Sequence, residues 1–240
     1  MYNGTGIYSL REAGKLVQAK PRDLNRWLFG YHFPKKGPDG EDLRAFSPPL
    51  WQTQVDVSEH EEPIIGFQDL LEVRFVRAFI QHGIPLIVIR KCLESARSIY
   101  GVAYPFTNLQ FKTDGKTIFG EALKQAESEG TSLVDLKNRQ NVFRDIITPS
   151  LYAGIEYNGA QATKWYPTLK RERIVLDPSR QFGSPIIEDT GTPTDILYAS
   201  YLAEGENENA IASTSAIYDV PHRFVRAAVR FESSLKQRTH

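Results

Sequence analysis

Residues 8–31 read YSLREAGKLVQAKPRDLNRWLFGY, and this stretch predicts two short helices joined by a tight turn. Ser9 and Glu12 fit a capping box at the start of the first helix, in which each side chain accepts a hydrogen bond from the other residue's backbone N–H. Pro21 suits the first position of the second helix, which we expect to end at Gly30. The apolar positions that repeat with helical spacing are Leu10, Ala13, Leu16 and Val17, then Leu24, Trp27 and Leu28.

The exposed side of the second helix carries side chains that suit DNA. Two short helices with a tight turn are typical of a helix-turn-helix, whose second helix enters the major groove. Arginine suits guanine, asparagine suits adenine, and both also bind phosphates. A hairpin is predicted beside this helix, because residues 32–40 form a turn-rich basic stretch and residues 43–51 form a strand-like return. Such a hairpin is the wing of a winged helix-turn-helix. The predicted DNA-binding residues are Lys20, Arg22, Asn25, Arg26, Lys35 and Lys36.

A second interpretation of the helix pair is a structural α-hairpin that binds nothing. The charge favours DNA, because residues 1–36 carry seven basic side chains and two acidic ones.

Two more helices and a hairpin are predicted downstream. Gly66 precedes an apolar-periodic run that Gly83 ends, and Pro85 begins the next helix. Residues 111–119 contain Asp-Gly, which predicts a hairpin, and residues 121–128 follow as a short helix. The bulky apolar positions of the two helices are assigned to the core: Leu70, Leu71, Val73, Phe75, Val76, Phe79, Ile80, Ile87, Val88, Ile89 and Leu93.

Residues 7–31 resemble the opening of the MerR-type winged-helix family, and residues 67–73 and 83–90 resemble its second helix pair. In that family this pattern introduces the DNA-reading helix, so the resemblance implies DNA binding. The chain departs from the family because no sustained heptads follow, and the long dimerising helix of MerR regulators is therefore not expected. Cys92 is the single cysteine, which excludes a multi-cysteine metal sensor. The residues that carry the first likeness are Tyr8, Ser9, Leu10, Ala13, Leu16, Val17, Leu24, Arg26, Trp27, Leu28, Gly30 and Tyr31.

The last third of the chain predicts a separate small unit after a connector. Residues 129–172 have β character, including an Asn-Gly hairpin signal, and residues 174–178 and 184–187 predict two short strands. We therefore divide the chain into a DNA-binding domain (residues 1–128), this connector and a C-terminal domain (residues 173–240), which suits a length of 240 residues. The expected fold class is mainly α with small β-hairpins, a MerR-like winged helix-turn-helix followed by a three-helix, helix-turn-helix-like domain.

Three helices are predicted in the C-terminal domain. Thr192 caps the first with Pro193 at its first position, Asn207 caps the second, and Pro221 begins the third. The predicted inner positions are Ile196, Leu197, Ser200, Tyr201, Leu202, Ile211, Ala212, Ile217, Phe224, Val225, Ala228, Val229 and Phe231. Because a helix-turn-helix protein usually reads two half-sites, we expect a homodimer. Its interface is assigned to the apolar faces around Ile196, Tyr201, Ile217 and Phe224.

Residues 172–232 resemble a small bacterial family, the domain of unknown function numbered 433. Members of that family occur as antitoxins paired with PIN-domain ribonuclease toxins, and the combination with a MerR-like reader resembles VapB-type antitoxins. The resemblance therefore implies a DNA-binding antitoxin of a type II toxin–antitoxin system, which neutralises the ribonuclease and represses its own operon. An acidic stretch at residues 204–208 is denser than the family pattern needs.

Charge alternates near the C-terminus. Residues 185–219 carry seven acidic and no basic side chains, whereas residues 220–240 carry five basic and one acidic. A PIN-type active site holds Mg²⁺ with carboxylates, and cationic side chains would compete for them. A tail over residues 232–240 without apolar anchors would be flexible until bound, although a frayed, solvated end explains it equally. The predicted toxin-binding residues are Arg230, Lys236 and Arg238.

The composition favours a binding protein over an enzyme or a membrane protein. The formal net charge is +0, and no stretch approaches the roughly 20 apolar residues of a membrane span. No nucleophile-elbow, zinc-protease or phosphate-loop pattern occurs, so no catalysis, metal or cofactor is expected. A single cysteine and the lack of a secretory signal favour the reducing cytoplasm.

A stand-alone MerR-like transcriptional regulator is the alternative function. Its C-terminal domain would bind a small ligand, in a pocket lined by Trp165, Tyr166 and Tyr201, or would only dimerise. A neighbouring gene for a PIN-domain protein would favour the antitoxin.

Overall fold

The computed structural model describes residues 4–56, 61–129 and 151–237. Over these ranges the chain is mainly helical with short antiparallel strand pairs, which confirms the mainly α class, and no helix in them is long and apolar enough to cross a membrane. The helices are α1 (Leu10–Val17), α2 (Pro21–Phe29), α3 (Phe67–Gln81), α4 (Leu86–Tyr100), α5 (Phe111–Ser128), α6 (Thr194–Ala203), α7 (Glu208–Tyr218) and α8 (His222–Gln237). The strand pairs are β1 (Tyr8–Ser9) with β4 (Ile64–Ile65), β2 (Tyr31–Lys36) with β3 (Asp42–Ser47), β5 (Ile155–Asn158) with β6 (Gln161–Trp165), and β7 (Ile174–Val175) with β8 (Ile186–Ile187).

Helices α1 and α2 form where the sequence predicts them. The Ser9 hydroxyl accepts from the backbone N–H of Glu12 at 3.2 Å, and the Glu12 carboxylate accepts from that of Ser9 at 2.9 Å, which confirms the capping box. The turn between the helices is tight, because a Cβ on Gly14 would lie 2.6 Å from the carbonyl oxygen of Ala19. All the predicted apolar positions of the two helices are buried: Leu10, Ala13, Leu16, Val17, Leu24, Trp27 and Leu28.

Helices α3 and α4 also match the prediction, but the segment after them does not. Residues 111–119 form the first half of α5, so the predicted Asp-Gly hairpin is wrong. Residues 121–128 are helical as predicted, but they form the second half of this longer helix. Apolar positions repeat every three or four residues through all of α5, which packs against α4. Burial of that whole face outweighs a two-residue turn preference. The buried residues are Phe111, Gly115, Ile118, Phe119, Gly120, Ala122, Leu123 and Ala126.

The C-terminal elements follow the predicted order with small shifts. The β5–β6 hairpin turns at residues 159–160, at the Asn-Gly signal. Helix α6 begins at Thr194 with Pro193 as its N-cap, one residue later than predicted, while the Thr192 hydroxyl contacts another threonine instead. Asn207 caps α7 as predicted, since its side chain accepts from two backbone N–H groups of the first turn.

Helix α8 continues to Gln237, so the prediction of a flexible tail is wrong over residues 232–237. Leu235 is the apolar anchor that the sequence argument missed, with 7 % of its surface exposed. It lies one helical turn beyond Phe231 and therefore on the same buried face. Arg238 lies outside the described residues.

One apolar cluster joins the N-terminal and C-terminal elements. Tyr8 and Leu16 belong to it together with Phe231 and Leu235 of α8. The Tyr8 hydroxyl also donates to the carbonyl oxygen of Gly183 at 2.8 Å. The two ends of the chain therefore share buried surface, and the domain limits at residues 128 and 173 stay a prediction.

Candidate nucleic-acid interface

The exposed face of α2 carries four of the side chains predicted to bind DNA. The opposite face carries three buried apolar residues, which hold the helix against the core. Lys20, Arg22 and Asn25 are exposed, and Arg26 is half-buried. Because Arg22, Asn25 and Arg26 are spaced three and four residues apart, they share one side of the helix. A partner lying along that side meets two guanidinium groups and one amide.

Arg26 connects α2 to the hairpin. Its guanidinium carbon lies 3.9 Å from the centre of the Tyr31 ring, and this cation–π contact uses only the face of the group. The N–H groups in the guanidinium plane are still able to donate. Gly30 lies between the two elements with φ of 76°, and a Cβ there would lie 2.6 Å from the carbonyl oxygen of Ser47. The junction of helix and hairpin therefore requires glycine.

The two lysines predicted for the wing lie on opposite faces of the hairpin. Alternation along β2 puts Lys35 on the face of Tyr31, where Arg26 lies, and Lys36 on the other face. The ammonium of Lys36 is 2.7 Å from the carboxylate of Asp42 across the strands. Lys35 stands opposite Leu43, which carries no charge. The structure thus brings Lys35, but not Lys36, to the side that α2 occupies.

Acidic side chains dominate the tip of the hairpin. Asp39, Glu41 and Asp42 are all exposed. Glu41 also accepts a hydrogen bond from the backbone N–H of Asp39 at 3.2 Å. The tip is therefore unfavourable for a phosphate backbone, and the basic surface is that of α2 and Lys35.

Two arginines of α4 hold the chain that leaves the hairpin. Arg90 donates to the carbonyl oxygens of residues 48–49 at 2.7 and 2.8 Å, and Arg97 donates to that of Leu50 at 2.9 Å. The backbone N–H of Leu50 donates in turn to the carbonyl oxygen of Trp27 in α2, at 2.8 Å. Sequence reasoning missed both arginines, because an arginine in a helical pattern gives no local indication of a distant partner.

Two buried carboxylates of α3 hold the segments on either side of it. Asp69 accepts from the indole N–H of Trp51 at 2.8 Å and from the backbone N–H of Gln54 at 2.9 Å. Glu72 accepts from the backbone N–H groups of residues 106–107 at 2.9 and 3.0 Å. Burial raises the pKa of both carboxyl groups, that of Glu72 to about 7, and these hydrogen bonds oppose the rise. Glu72 therefore changes its charge near neutral pH.

The side chains predicted to bind a toxin have partners within the chain. The guanidinium of Arg230 is 2.9 Å from the carboxylate of Glu172. The ammonium of Lys236 lies 4.3 Å from the centre of the Tyr198 ring. Both positions are on α8, where the helix and its neighbours hold them in place.

Two of the four residues assigned to the dimer interface are exposed. Ile196 is 43 % exposed and Ile217 is 60 % exposed, so the prediction that they pack inside the domain is wrong. The hydroxyls of Ser200 and Thr214 are 3.0 Å apart and join α6 to α7. Ile196 lies one turn before Ser200 on α6, and Ile217 lies about one turn after Thr214 on α7. We call them the isoleucine patch.

The aromatic residues of the alternative hypothesis are packed in separate places. Trp165 lies in the main apolar cluster, and Tyr201 packs at the edge of that cluster. Tyr166 belongs to a small second cluster with two aliphatic residues. These positions do not support a pocket lined by all three. Phe224, also assigned to the dimer interface, is buried in the main cluster.

Comparison with known proteins shows a shared fold. No protein-family model matches the chain, and no curated protein matches it. The crystal structure of Rv2018 from Mycobacterium tuberculosis is similar, with a TM-score of 0.65 and 17 % sequence identity, over 95 % of this chain and 100 % of that chain. At this identity the likeness is one of fold alone.

Proposed function

We propose that this chain is a DNA-binding antitoxin of a type II toxin–antitoxin system. It binds operator DNA through α2 and the β2–β3 hairpin, represses its own operon, and neutralises a PIN-domain ribonuclease through its C-terminal helices. One observation carries the DNA part. Arg22 and Asn25 are exposed and share one side of α2 with the half-buried Arg26, the opposite side of the helix is buried, and the adjoining hairpin presents Lys35 on the same side.

The shape and chemistry of this surface suit a major groove. An α-helix with its side chains is about 10–12 Å in diameter, and the major groove is about 12 Å wide. Arg22 can donate twice to guanine, and Asn25 can both donate to and accept from adenine. Lys35 is placed to contact a phosphate, which adds affinity without sequence preference.

The toxin part is supported by the resemblance of residues 172–232 to antitoxin domains. Arg230 and Lys236 are the proposed contacts to the carboxylates of the ribonuclease active site. The side chains of Arg230 and Glu172 are 62 % and 25 % exposed. Because an exposed ion pair contributes only about 0–1 kcal/mol, a toxin carboxylate can replace Glu172 at small cost.

A homodimer fits this function, because two half-sites on DNA require two copies of α2. We place its contact on the isoleucine patch, Ile196 and Ile217, which is exposed and apolar.

The test is co-expression with the product of the adjacent gene, followed by co-purification and a ribonuclease assay with and without this chain. We expect a stable complex in which the ribonuclease is inhibited. DNA binding is measured separately, by fluorescence anisotropy on the duplex upstream of the gene and on a scrambled duplex. Specific DNA binding without a ribonuclease partner would favour the alternative, a stand-alone regulator. Failure to bind either partner would contradict the proposal.

A further inference from the structure

A cavity of about 350 Å³ lies beside α3, between the loop that precedes α5 and the turn of the β5–β6 hairpin. Its volume lies within the range of about 300–1,000 Å³ that is usual for small-molecule sites. None of the eight residues that line it carries a charge. The cavity therefore suits an uncharged molecule.

Two buried side-chain amides line this cavity, and their orientations are fixed. Gln68 is 6 % exposed and Asn108 is 8 % exposed. The NH₂ group of Gln68 donates to the carbonyl oxygen of Ala162 at 2.7 Å, which leaves its Oε1 as an acceptor. The Oδ1 of Asn108 accepts from the backbone N–H of Gln110 at 2.9 Å, which leaves its NH₂ group as a donor. Within the described ranges, neither of these remaining groups has a hydrogen-bond partner.

We propose that the cavity binds a small uncharged ring compound that bears a carboxamide or lactam group. The carbonyl oxygen of such a group accepts from the NH₂ of Asn108, and its N–H donates to Oε1 of Gln68. Neither atom is among the buried side-chain atoms without a partner, so both are open to solvent in the cavity. A ligand that pairs with both exchanges water for two hydrogen bonds that fix its orientation. The ring packs against the uncharged wall that includes Val102, Tyr104 and Ala160.

The acceptor on Gln68, rather than the charges around the cavity, disfavours a carboxylate ligand. Asp69 follows Gln68 in the chain, and Glu72 binds the backbone N–H of Thr107, another lining residue. Both carboxylates are buried, and the guanidinium of Arg97 donates to the carbonyl oxygen of Ala103, a further lining residue, at 3.2 Å, so the charges around the cavity are mixed. A carboxylate ligand would place an oxygen against Oε1 of Gln68, and two acceptors repel each other.

The experiment compares nicotinamide with nicotinate on the full-length protein by isothermal titration calorimetry. The two probes have the same shape and differ in the carboxamide and the charge. We expect nicotinamide to bind saturably and nicotinate to bind at least about tenfold more weakly, since nicotinate loses the hydrogen bond to Oε1 of Gln68 and sets an acceptor against it, which amounts to about 1.4 kcal/mol or more. Equal binding of the two probes, or no nicotinamide binding up to about 10 mM, would overturn the proposal.

A variant tests the donor directly. Asn108→Asp keeps an oxygen for the backbone N–H of Gln110 and replaces the NH₂ donor by a second oxygen, so nicotinamide affinity should fall about tenfold or more. Asn209→Asp makes the same substitution at an exposed position on α7 and should leave the affinity unchanged. Undiminished binding to a folded Asn108→Asp protein contradicts the assignment.

A second variant tests whether nicotinamide occupies the cavity even if Asn108→Asp does not fold. Ala103 lines the cavity but is exposed, so Ala103→Trp can fill the cavity without disturbing the core. We expect an unchanged melting temperature and loss of nicotinamide binding. Retained binding would show that the probe occupies another place. None of these measurements involves DNA or a ribonuclease, so their outcome is independent of the proposed function.

Discussion

Lys35 and Lys36 are neighbours in the chain and yet belong to different surfaces. The first shares a face with Tyr31 and Arg26, and the second is paired with Asp42. Strand alternation therefore places neighbouring residues of this hairpin on different surfaces, and a matched pair of substitutions can test whether only one of these surfaces contacts DNA as we propose.

Lys35→Ala is expected to weaken DNA binding, and Lys36→Ala is expected to change it by less than about twofold. Loss of one phosphate contact lowers the slope of log K against log salt by about 0.9, and only Lys35 faces the side of α2. Anisotropy titrations of both variants at several salt concentrations measure this slope. Equal effects of the two substitutions would contradict the assignment of faces.

Glu72 makes the stability of the fold depend on pH. Burial raises its pKa from 4.5 to about 7, so the folded state holds this proton more tightly than the unfolded state does. Its contribution to the free energy of unfolding, up to about 3 kcal/mol, is present below about pH 4.5 and is lost as the pH rises through about 7. Urea unfolding between about pH 5 and 8 should show a steeper decline for the wild type than for Glu72→Gln. Parallel profiles for the two proteins would argue against this shift.

At the scale of elements, the residues of α2 that we propose to contact DNA are separate from the apolar residues that hold the helix against the core. A triple variant should lose operator binding and keep the fold, because alanine favours helix and the apolar face is untouched. It combines Arg22→Ala, Asn25→Ala and Arg26→Ala. Arg171→Ala with Arg223→Ala is the control, since it removes the same charge from exposed positions elsewhere. Operator affinity within about threefold of the wild type in a gel-shift titration would show that α2 is not the reader.

The last turn of helix α8 contributes to the stability of the fold. Leu235→Ala should lower the free energy of unfolding by about 2–3 kcal/mol, because the side chain is buried in the main cluster. The adjacent Lys236→Ala should cost less than about 1 kcal/mol, since the ammonium over Tyr198 is exposed and its interactions are screened by solvent. Thermal or urea unfolding compares the two variants directly, and a similar loss in both would place Leu235 outside the core. Toxin binding is therefore to be tested with Arg230→Ala and Lys236→Ala, which leave the core intact.

At the scale of the whole molecule, the N-terminal and C-terminal halves share one apolar core. Helix α1 contacts α8, and Tyr8 is hydrogen-bonded to Gly183. A fragment that ends near residue 150 would expose this shared surface and could associate for that reason alone. Oligomeric state is therefore best measured on the full chain.

Ile196→Glu with Ile217→Glu should convert the expected dimer into a monomer. Both side chains are exposed, so the charges disturb a contact between copies but not the core. Ile99→Glu is a matched control, because Ile99 is 59 % exposed and Ile217 is 60 % exposed. Sedimentation velocity and binding to a two-half-site operator measure the outcome. A dimer that persists in the double variant would move the interface elsewhere.

The sequence by itself determined the elements whose causes are local. A capping box at Ser9, a proline at the start of α2 and helical spacing of apolar residues predict α1 to α4 without knowledge of distant partners. The exposed face of α2 follows from the same spacing, because residues that are not on the buried stripe must face outward. Asn207 capped α7 as predicted for the same reason.

Only the tertiary structure decided the features that depend on a partner far along the chain. The Asp-Gly pair at residues 114–115 lies inside α5 because α4 buries that helix, and Leu235 is fixed by a core that includes the N-terminal helices. The hydrogen bonds of Asp69 and Glu72, and that of Gln68 to Ala162, likewise join groups that no local pattern brings together. A hydrogen bond or a buried contact is satisfied in space, so its partner is known only once the chain has folded.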